Sequence, residues 1–271
     1  MKIAIIQMDV SLDKQKNINA MRDFVEKAGE AGADIAVLPE MFNCPYSNAY
    51  FPDYAEEAGG DSYTALSQAA SSNNMYVVGG SIPELDNKSI YNTSFVFDRT
   101  GAEIARHRKI QLFSIDIPGK LKFSENDTLK AGDKITVFES EFGKMGLIIC
   151  FDIRFPEICR LTALKGAKVI FAPSAFGMIT GPKHWELLFR LRAVENQLFT
   201  VGASPSRDGN DVYTAYGNSI AVDPWGNILY RAETQKEMGV VDLDLSEIEK
   251  TRKQLPMISI MRDDVYTIEE K

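Results

Sequence analysis

A cysteine that could act as a nucleophile stands at the end of an apolar stretch. In "MGLIICFDIRFPE" the run at 147–149 predicts a buried strand, and Pro156 with Glu157 predicts the first turn of a helix. Cys150 would then lie at an exposed corner, where the helix N–H groups and the charge of Arg154 favour the reactive thiolate. The structural alternative is that Cys150 is a small buried hydrophobe, as free cysteines after apolar runs usually are.

Two further side chains could supply the proton transfer and the charge that such a nucleophile needs. Glu40 follows an apolar stretch in "VLPEMF", and partial burial there would raise its pKa toward the range useful for a general base. Lys109 lies in "ARHRKIQLF", where a fixed cation could stabilise a developing oxyanion. The structural alternatives are a solvated loop acid and a surface lysine with a buried stem.

Alternating strand and helix patterns surround these candidates. "KIAIIQM", "ADIAVLPE", "MYVVGGSI" and "SIYNTSFVFD" are typical of strands, and residues 17–31 and 61–72 have helical spacing. Strands followed by crossover helices predict an α/β fold with a mixed, largely buried sheet.

The chain also contains an internal repeat. "KIAIIQMD", a helix and "GADIAVLPE" resemble "MGLIICFD", a helix and "GAKVIFAPS". The alignment places Gln7 opposite Cys150 and Glu40 opposite Ser174. If two such sheets pack face to face, the strand ends that carry Glu40 and Cys150 converge on one cleft.

The composition excludes several functional classes. The chain has 271 residues, of which 45% are hydrophobic, enough for a sizeable core. Its 30 basic and 38 acidic residues give a net charge of −8, and no basic block interleaves with aromatic residues, so a nucleic-acid partner is not expected. No apolar run approaches the roughly 18–20 residues of a membrane span, and "MKIAIIQMDV" lacks the pattern of a signal peptide. We therefore expect a cytoplasmic protein with no membrane partner.

Cysteine and histidine usage argues against a disulfide framework or a zinc site. The three cysteines have no CxxC spacing, and there are only two histidines. These residues are Cys44, Cys150, Cys159, His107 and His184. Cys44 and Cys159 are expected to be packing residues.

No linker divides the chain, so we expect a single domain over residues 1–271. From residue 246 a short helical stretch is followed by Pro256 and an extended end with Ile258, Ile260 and Tyr266. These apolar residues predict that the arm at 246–271 docks on a partner subunit.

Three motifs, in order, resemble the nitrilase superfamily of carbon–nitrogen hydrolases. They are "LPEMF" with Glu40, "HRKIQLF" with Lys109 and "ICFDIRFPE" with Cys150, the contexts of that superfamily's Glu-Lys-Cys triad. The resemblance continues through "GAKVIFAPSAF", "GPKHWELLFRLRAVENQ", "GNSIAVDPWGNIL" and "DLDL". It implies a four-layer α-β-β-α sandwich, here built from two pseudo-repeats, and a homodimer or higher homo-oligomer.

The resemblance also implies a mechanism for a small amide substrate, without a metal or organic cofactor. Cys150 would attack the amide carbon, and Glu40 would move the protons. Lys109 and the backbone N–H of Phe151 would stabilise the oxyanion. Glu125, in "KFSEND", resembles a second carboxylate that orients the lysine or the substrate.

Within the superfamily, the second half of the chain resembles the omega-amidase branch, which hydrolyses the terminal amides of α-ketoglutaramate and α-ketosuccinamate. "AFGMITGPKHWELL" carries this resemblance, with Gly177 where the branch has asparagine. Arg154 could meet a substrate carboxylate, although an ion pair within the protein is the preferred interpretation. The residues expected to line the substrate pocket are Tyr46, Phe113, Arg154, Phe176 and Met178.

Several alternatives remain open. Another amidase, a carbamoylase or a nitrilase would share the triad. A Cys-His-Asp hydrolase would require His184 close to Cys150 and would leave Glu40 and Lys109 unexplained. A non-catalytic metabolite-binding protein of the same fold is the third alternative.

Overall fold

Two β-sheets form the centre of the protein. The structure is a computed structural model and describes residues 1–209 and 212–271. Its strands are β1 (Lys2–Gln7), β2 (Ile35–Val37), β3 (Tyr76–Val78), β4 (Ile82–Asp86), β5 (Ser89–Phe97), β6 (Glu103–Arg108), β7 (Ser114–Ile117), β8 (Leu121–Ser124), β9 (Thr136–Ser140), β10 (Gly143–Leu147), β11 (Val169–Pro173), β12 (Phe199–Ala203), β13 (Ile220–Val222), β14 (Ile228–Arg231) and β15 (Glu237–Asp242). Its helices are α1 (Lys14–Glu30), α2 (Phe51–Tyr54), α3 (Asp61–Ser72), α4 (Pro156–Leu164), α5 (Gly181–Asn196) and α6 (Ser246–Gln254).

Both sheets are mixed, with parallel strands at their centres. The first has the order β15-β1-β2-β3-β5-β4, with β6 also paired to β5, and the second has the order β14-β13-β12-β11-β10-β9. Strands β1, β2 and β3 run parallel, as do β10, β11 and β12. Strands β7 and β8 form a separate two-stranded hairpin.

The sheets pack face to face, and helices cover their outer faces. Ile5 and Val37 of the first sheet belong to the same apolar core as Leu147, Phe171 and Val201 of the second. On the outer face of the first sheet lie α1 and α3, and on that of the second lie α4 and α5. The predicted α-β-β-α sandwich is thereby confirmed.

The internal repeat corresponds to two strand–helix–strand units, one in each sheet. They are β1-α1-β2 and β10-α4-β11, whose strands are parallel neighbours. After each helix the chain turns through a glycine in the left-handed region, Gly32 with φ +72° and Gly166 with φ +97°. The second unit differs by a 3₁₀ turn, Cys150–Arg154, inserted before α4.

The stretch "MYVVGGSI", predicted as one strand, forms parts of two. Its two glycines separate β3 from β4 because Gly80 has φ +59°. A Cβ atom at Gly80 would lie only 2.1 Å from the carbonyl oxygen of Pro39. The break therefore lets the chain pass directly against the segment that carries Glu40.

Beyond α6 the chain has no regular secondary structure but is attached to the domain. The side-chain amide of Gln197 bonds the carbonyl of Leu255, and Glu270 accepts a hydrogen bond of 2.8 Å from the backbone N–H of Ile135. Ile260 and Tyr266 remain exposed. Within the described residues, no helix combines the length and the apolar character needed to cross a bilayer.

Candidate active site

Glu40 lies at the carboxyl end of β2, with none of its surface exposed. Its Oε1 accepts hydrogen bonds of 2.8 Å from Lys109 Nζ and 2.8 Å from Asn92 Nδ2. Its Oε2 has no hydrogen-bond partner of regular geometry among the described residues. Burial raises the pKa of this carboxyl, Lys109 opposes the rise, and Glu125 adds to it, so the direction expected from the sequence is confirmed.

Lys109 follows β6 and is also completely buried. Its ammonium group lies between two carboxylates, 2.8 Å from Glu40 Oε1 and 2.9 Å from Glu125 Oε2. Burial by itself would lower the pKa of Lys109, but the two carboxylates reverse the effect and raise it above the ordinary value. Lys109 is therefore a fixed positive charge at neutral pH. It is not a surface lysine with a buried stem, which was the structural alternative.

Glu125 supports the lysine from the opposite side. It begins a short 3₁₀ turn after β8 and is completely buried. Tyr46 Oη donates to its Oε1 at 2.8 Å, and the backbone N–H of Phe113 donates to its Oε2 at 2.6 Å. The structure thus brings the predicted second carboxylate into direct contact with Lys109, and it brings Tyr46 and Phe113 to the same place.

Cys150 lies at the corner between β10 and the 3₁₀ turn, as the sequence indicated, but it is not exposed. Only 5% of its surface is accessible, and its backbone has φ +46°, a left-handed conformation that is uncommon outside glycine. The 3₁₀ turn separates it from the N-terminus of α4. The expectation of an exposed thiol beside a helix end was therefore wrong, because the turn directs the side chain inward.

The expectation that Cys150 is a thiolate at rest was also wrong. Burial raises the pKa of Cys150 well above its ordinary value, and the neighbouring Glu40 carboxyl raises it further. Lys109 and the backbone N–H of Ala175, which bonds the sulfur, only partly oppose this. At rest Cys150 is therefore a thiol that interacts with Glu40, and a nucleophile of this kind would need a base rather than a helix end for activation.

A buried carboxylate connects the cysteine corner with the lysine segment. Asp152 Oδ2 accepts hydrogen bonds from the backbone N–H of Ile149 at 3.0 Å and from His107 Nε2 at 2.9 Å. Its Oδ1 accepts from the backbone N–H of Gln111 at 2.7 Å. Because these partners flank Cys150 and Lys109, Asp152 fixes the distance between the two functional side chains.

Arg154 is an arginine without a carboxylate partner among the described residues. Its Nη1 donates to His184 Nδ1 at 2.9 Å, and its guanidinium lies 4.6 Å from the ring centre of Phe176. Its Nε is buried and has no hydrogen-bond partner in the described part of the chain. Because its contacts in the described residues are a histidine and aromatic rings rather than a carboxylate, the preferred ion-pair interpretation was wrong. Arg154 lines the same pocket as Cys150.

Aromatic side chains enclose the space above the sulfur. Tyr46, Phe113 and Phe176 line the Cys150 pocket as predicted, whereas Met178 lines an adjoining apolar chamber instead. Tyr213 lines both spaces.

The remaining candidates lie away from the reactive atoms. His184 contacts Arg154, and His107 is bonded to Asp152 on one nitrogen and Thr136 on the other, so no histidine is available to Cys150 in the described residues. Cys44 and Cys159 are buried and free, and burial raises the pKa of Cys159 to about 12. No group of three or more metal-ligating residues in the described ranges could hold an ion.

Sequence reasoning missed two polar residues of this site, Asn92 and Tyr213, and for Asp152 it predicted a role in the turn but not the bonds to the lysine segment. Asn92 bonds Glu40, Asp152 anchors the corner, and Tyr213 closes the pocket. Asn92 carried one weak signal, a polar residue entering the buried half of a strand. The position of Tyr213 and these bonds of Asp152 gave no signal, because they depend on contacts between distant segments.

Known proteins resemble the chain over nearly its whole length. The sequence model of the carbon-nitrogen hydrolase family matches residues 2–253. Omega-amidase NIT2 of Mus musculus is 44% identical over 270 residues, which covers 100% of this chain and 98% of the relative. Omega-amidase NIT2 of Homo sapiens is 43% identical, with the same coverage. The crystal structure of Nit3 from Saccharomyces cerevisiae, of branch 10 of the nitrilase superfamily, has a TM-score of 0.89 and 39% identity over 97% of this chain and 96% of that one.

Proposed function

Because the chain belongs to the carbon–nitrogen hydrolase family and is an amide-hydrolysing enzyme, we propose that it acts as an omega-amidase. In this proposal the substrate is the terminal amide of α-ketoglutaramate or α-ketosuccinamate. The observation that carries the proposal is the position of Arg154, an arginine without a carboxylate partner in the described residues, in the pocket of Cys150. A buried guanidinium binds a carboxylate by charge-assisted hydrogen bonds, which selects an amide that carries an acid group.

The proposed reaction begins with the transfer of the Cys150 proton to Glu40. The sulfur attacks the amide carbon, and the C–N bond breaks as Glu40 returns the proton to the departing ammonia. Glu40 then takes a proton from water, the hydroxide attacks the thioester, and the carboxylate product leaves with the thiol restored. The raised pKa of Glu40 supports this exchange, because it makes the carboxylate a stronger base toward the neighbouring Cys150 thiol.

Lys109 and the backbone N–H of Phe151 would stabilise the negative oxygen of each tetrahedral intermediate. Phe151 is the second residue of a 3₁₀ turn whose first bond runs from Asp152 N–H to Ile149 C=O, so its own N–H has no acceptor within that turn. Glu125 would hold Lys109 in position while leaving its charge in place. Removing one oxyanion donor typically lowers the rate by about 10²–10³.

Substrate preference distinguishes the omega-amidase proposal from the other activities of the same family. A nitrilase or carbamoylase would use the same three side chains, but neither needs an arginine without a carboxylate partner in the pocket. Glutamine carries a positive ammonium group where the keto acid has a carbonyl, and Arg154 would repel it. A non-catalytic binding protein would have no use for a thiol in contact with a buried carboxyl.

The first experiment measures ammonia release from α-ketoglutaramate, glutamine, an aliphatic amide and a nitrile. We expect fast release from the keto-acid amide only, with a loss of at least about 10³-fold in Cys150→Ala. Cys159→Ala is the matched control, because it truncates another buried thiol of the same half and should keep activity. Release from another substrate alone would overturn the omega-amidase proposal.

A second variant tests the role of Arg154. Arg154→Gln should raise KM for α-ketoglutaramate by about 10–100-fold, the range of one charge-assisted hydrogen bond. For a neutral aliphatic amide KM should change little. Equal changes for both substrates would show that Arg154 has only a structural role.

We also propose that the enzyme is a cytoplasmic homodimer or higher homo-oligomer of single-domain subunits, with the arm at 246–271 at an interface. All three cysteines are free, which suits a reducing compartment. Ile260, Val265 and Tyr266 of the arm are more than half exposed, at 66%, 67% and 56%. Truncation after residue 255 should lower the number of subunits per particle, as measured by light scattering. An unchanged number would contradict the role of the arm.

A further inference from the structure

Tyr213 lines the two small spaces of the site and also a larger apolar chamber. The chamber has a volume of about 180 Å³ and is lined by Phe113, Ile115, Leu121, Phe123, Met178 and Ile179, together with Tyr46 and Tyr213. The spaces beside Cys150 and beside Glu40 measure only about 10 Å³ each, and Tyr213 lines them as well. Each of these spaces is about the size that a single water requires.

Two contacts fix the position of Tyr213, and a third residue leaves room for it. Its hydroxyl donates to the carbonyl of Ala175 at 2.9 Å, and its ring centre lies 5.0 Å from that of Tyr46. A Cβ atom at Gly177 would lie only 2.7 Å from the Tyr213 hydroxyl. The glycine therefore makes room for the tyrosine, which gives the departure at position 177 a physical reason.

We propose that Tyr213 is a specificity-determining residue that restricts the enzyme to amides with an unsubstituted nitrogen. The proposal rests on the proposed function, because Glu40 must reach the departing nitrogen. That nitrogen would then lie in the small cavity beside Glu40. An alkyl group on the nitrogen would collide with the rings of Tyr46 and Tyr213. Tyr46 donates to Glu125, which holds Lys109, whereas Tyr213 donates to the carbonyl of Ala175. Tyr213 is therefore the wall whose removal would join this cavity to the chamber without disturbing the lysine.

The chamber has the right chemistry for such a group once it is open. Its lining is mainly aliphatic and aromatic, with Thr180 and Thr214 as its polar members, and burial of each methylene is worth about a three- to fourfold gain in binding. A secondary amide would then react by the same steps, with Glu40 giving its proton to an alkylamine instead of ammonia. Loss of the tyrosine ring should therefore create an activity rather than only remove one.

The test compares α-ketoglutaramate with its N-propyl amide by measuring ammonia and propylamine release. Wild type and Tyr213→Phe, which both keep the ring, should prefer the primary amide by about 100-fold or more. Tyr213→Ala should shift the ratio of kcat/KM values toward the N-propyl amide by at least about 10-fold. Tyr50→Ala, which truncates another tyrosine packed against the same apolar cluster, should keep the wild-type ratio.

Gly177→Ala provides a second variant that leaves the tyrosine in the sequence. Its methyl group should displace the Tyr213 ring and shift the ratio in the same direction by a smaller factor. In the Tyr213→Ala background it should add nothing, because the two changes act through one ring. A wild type that cleaves both amides equally, or a Tyr213→Ala enzyme with both rates lowered in proportion, would overturn the inference and leave the proposed function intact. Failure of the wild type on the primary amide would instead refute the proposed function.

Discussion

The two repeats of the fold place very different residues at equivalent corners. Gln7 ends β1 with all of its hydrogen-bonding capacity used: its Nε2 donates to the carbonyls of Glu233 and Gln235, and its Oε1 accepts from the backbone and hydroxyl of Ser219. Cys150, after β10, has a left-handed backbone and a thiol whose pKa is raised by burial and by the neighbouring Glu40 carboxyl. At the first corner every hydrogen bond of the side chain is made, and at the second corner lies the thiol that we propose as the nucleophile.

The second strands of the repeats show the reverse assignment. Glu40 follows β2 and keeps one oxygen without a regular partner in the described residues, whereas Ser174 follows β11 and bonds the nearby carbonyl of Ala172 at 2.9 Å. Each repeat therefore contributes one residue that we propose takes part in the reaction and one residue whose hydrogen bonds are satisfied within the protein. The duplicated scaffold gives two sets of strand ends at one cleft, and the site needs only one residue from each.

The largest expected effect comes from Glu40→Gln, which keeps the shape of the side chain but removes the base. We expect kcat/KM to fall by about 10²–10⁴, whereas Ser174→Ala, the change at the equivalent corner, should leave it nearly unchanged. Because a base must be ionised and the pKa of Glu40 is raised, wild-type kcat/KM should rise with pH through a value above that of an ordinary glutamate. This limb should vanish in Glu40→Gln. A variant that keeps the limb would assign the base to another group.

A smaller loss is expected from Asp152→Asn, which weakens the connection between the Cys150 corner and the Lys109 segment. An amide cannot accept all three hydrogen bonds that the carboxylate accepts. We expect kcat per folded molecule to fall by about 10–100-fold with KM changing little, alkylation of Cys150 by iodoacetamide to slow, and the free energy of unfolding to fall by about 1–3 kcal/mol. A loss of activity that only follows the unfolded fraction would make Asp152 a stability residue, like Gln7.

Gln7→Leu should have the opposite pattern. It would leave the backbone N–H and hydroxyl of Ser219 without their buried acceptor, at a cost of about 2–4 kcal/mol in the free energy of unfolding. Turnover per folded molecule should stay at the wild-type value. Urea unfolding with active-site titration separates the two quantities, and a loss of turnover without a loss of stability would break the contrast between the corners.

The smallest expected effect tests whether the repeats are equivalent away from the site. Gly32→Ala and Gly166→Ala each force alanine into a left-handed turn, which costs about 1 kcal/mol. A Cβ atom meets nothing within 4 Å at Gly32 and only the flexible side chain of Lys144, at 3.3 Å, at Gly166. Thermal unfolding should therefore give similar losses, and a difference of more than about 1 kcal/mol would mean that the turns are not equivalent.

Local sequence patterns predicted an α/β fold and named Glu40, Lys109 and Cys150 as candidates, and the family resemblance supplied the four layers. Apolar runs that end at polar residues mark strand ends, and the repeat indicated that those ends meet. The burial of Cys150 and the missing ion pair of Arg154 were not predictable in this way. They depend on the 3₁₀ turn and on which distant residues approach, as do the contacts of Asn92 and Tyr213.

The left-handed backbone of Cys150 sets stability against activity at a single position. A side chain other than glycine in this conformation costs about 1–2 kcal/mol, and alanine or serine would keep the cost while removing the chemistry. We expect Cys150→Gly to be inactive yet to unfold at a higher temperature than Cys150→Ala. A screen that scored every substitution here by cellular abundance alone would favour glycine, and only selection for turnover would return cysteine.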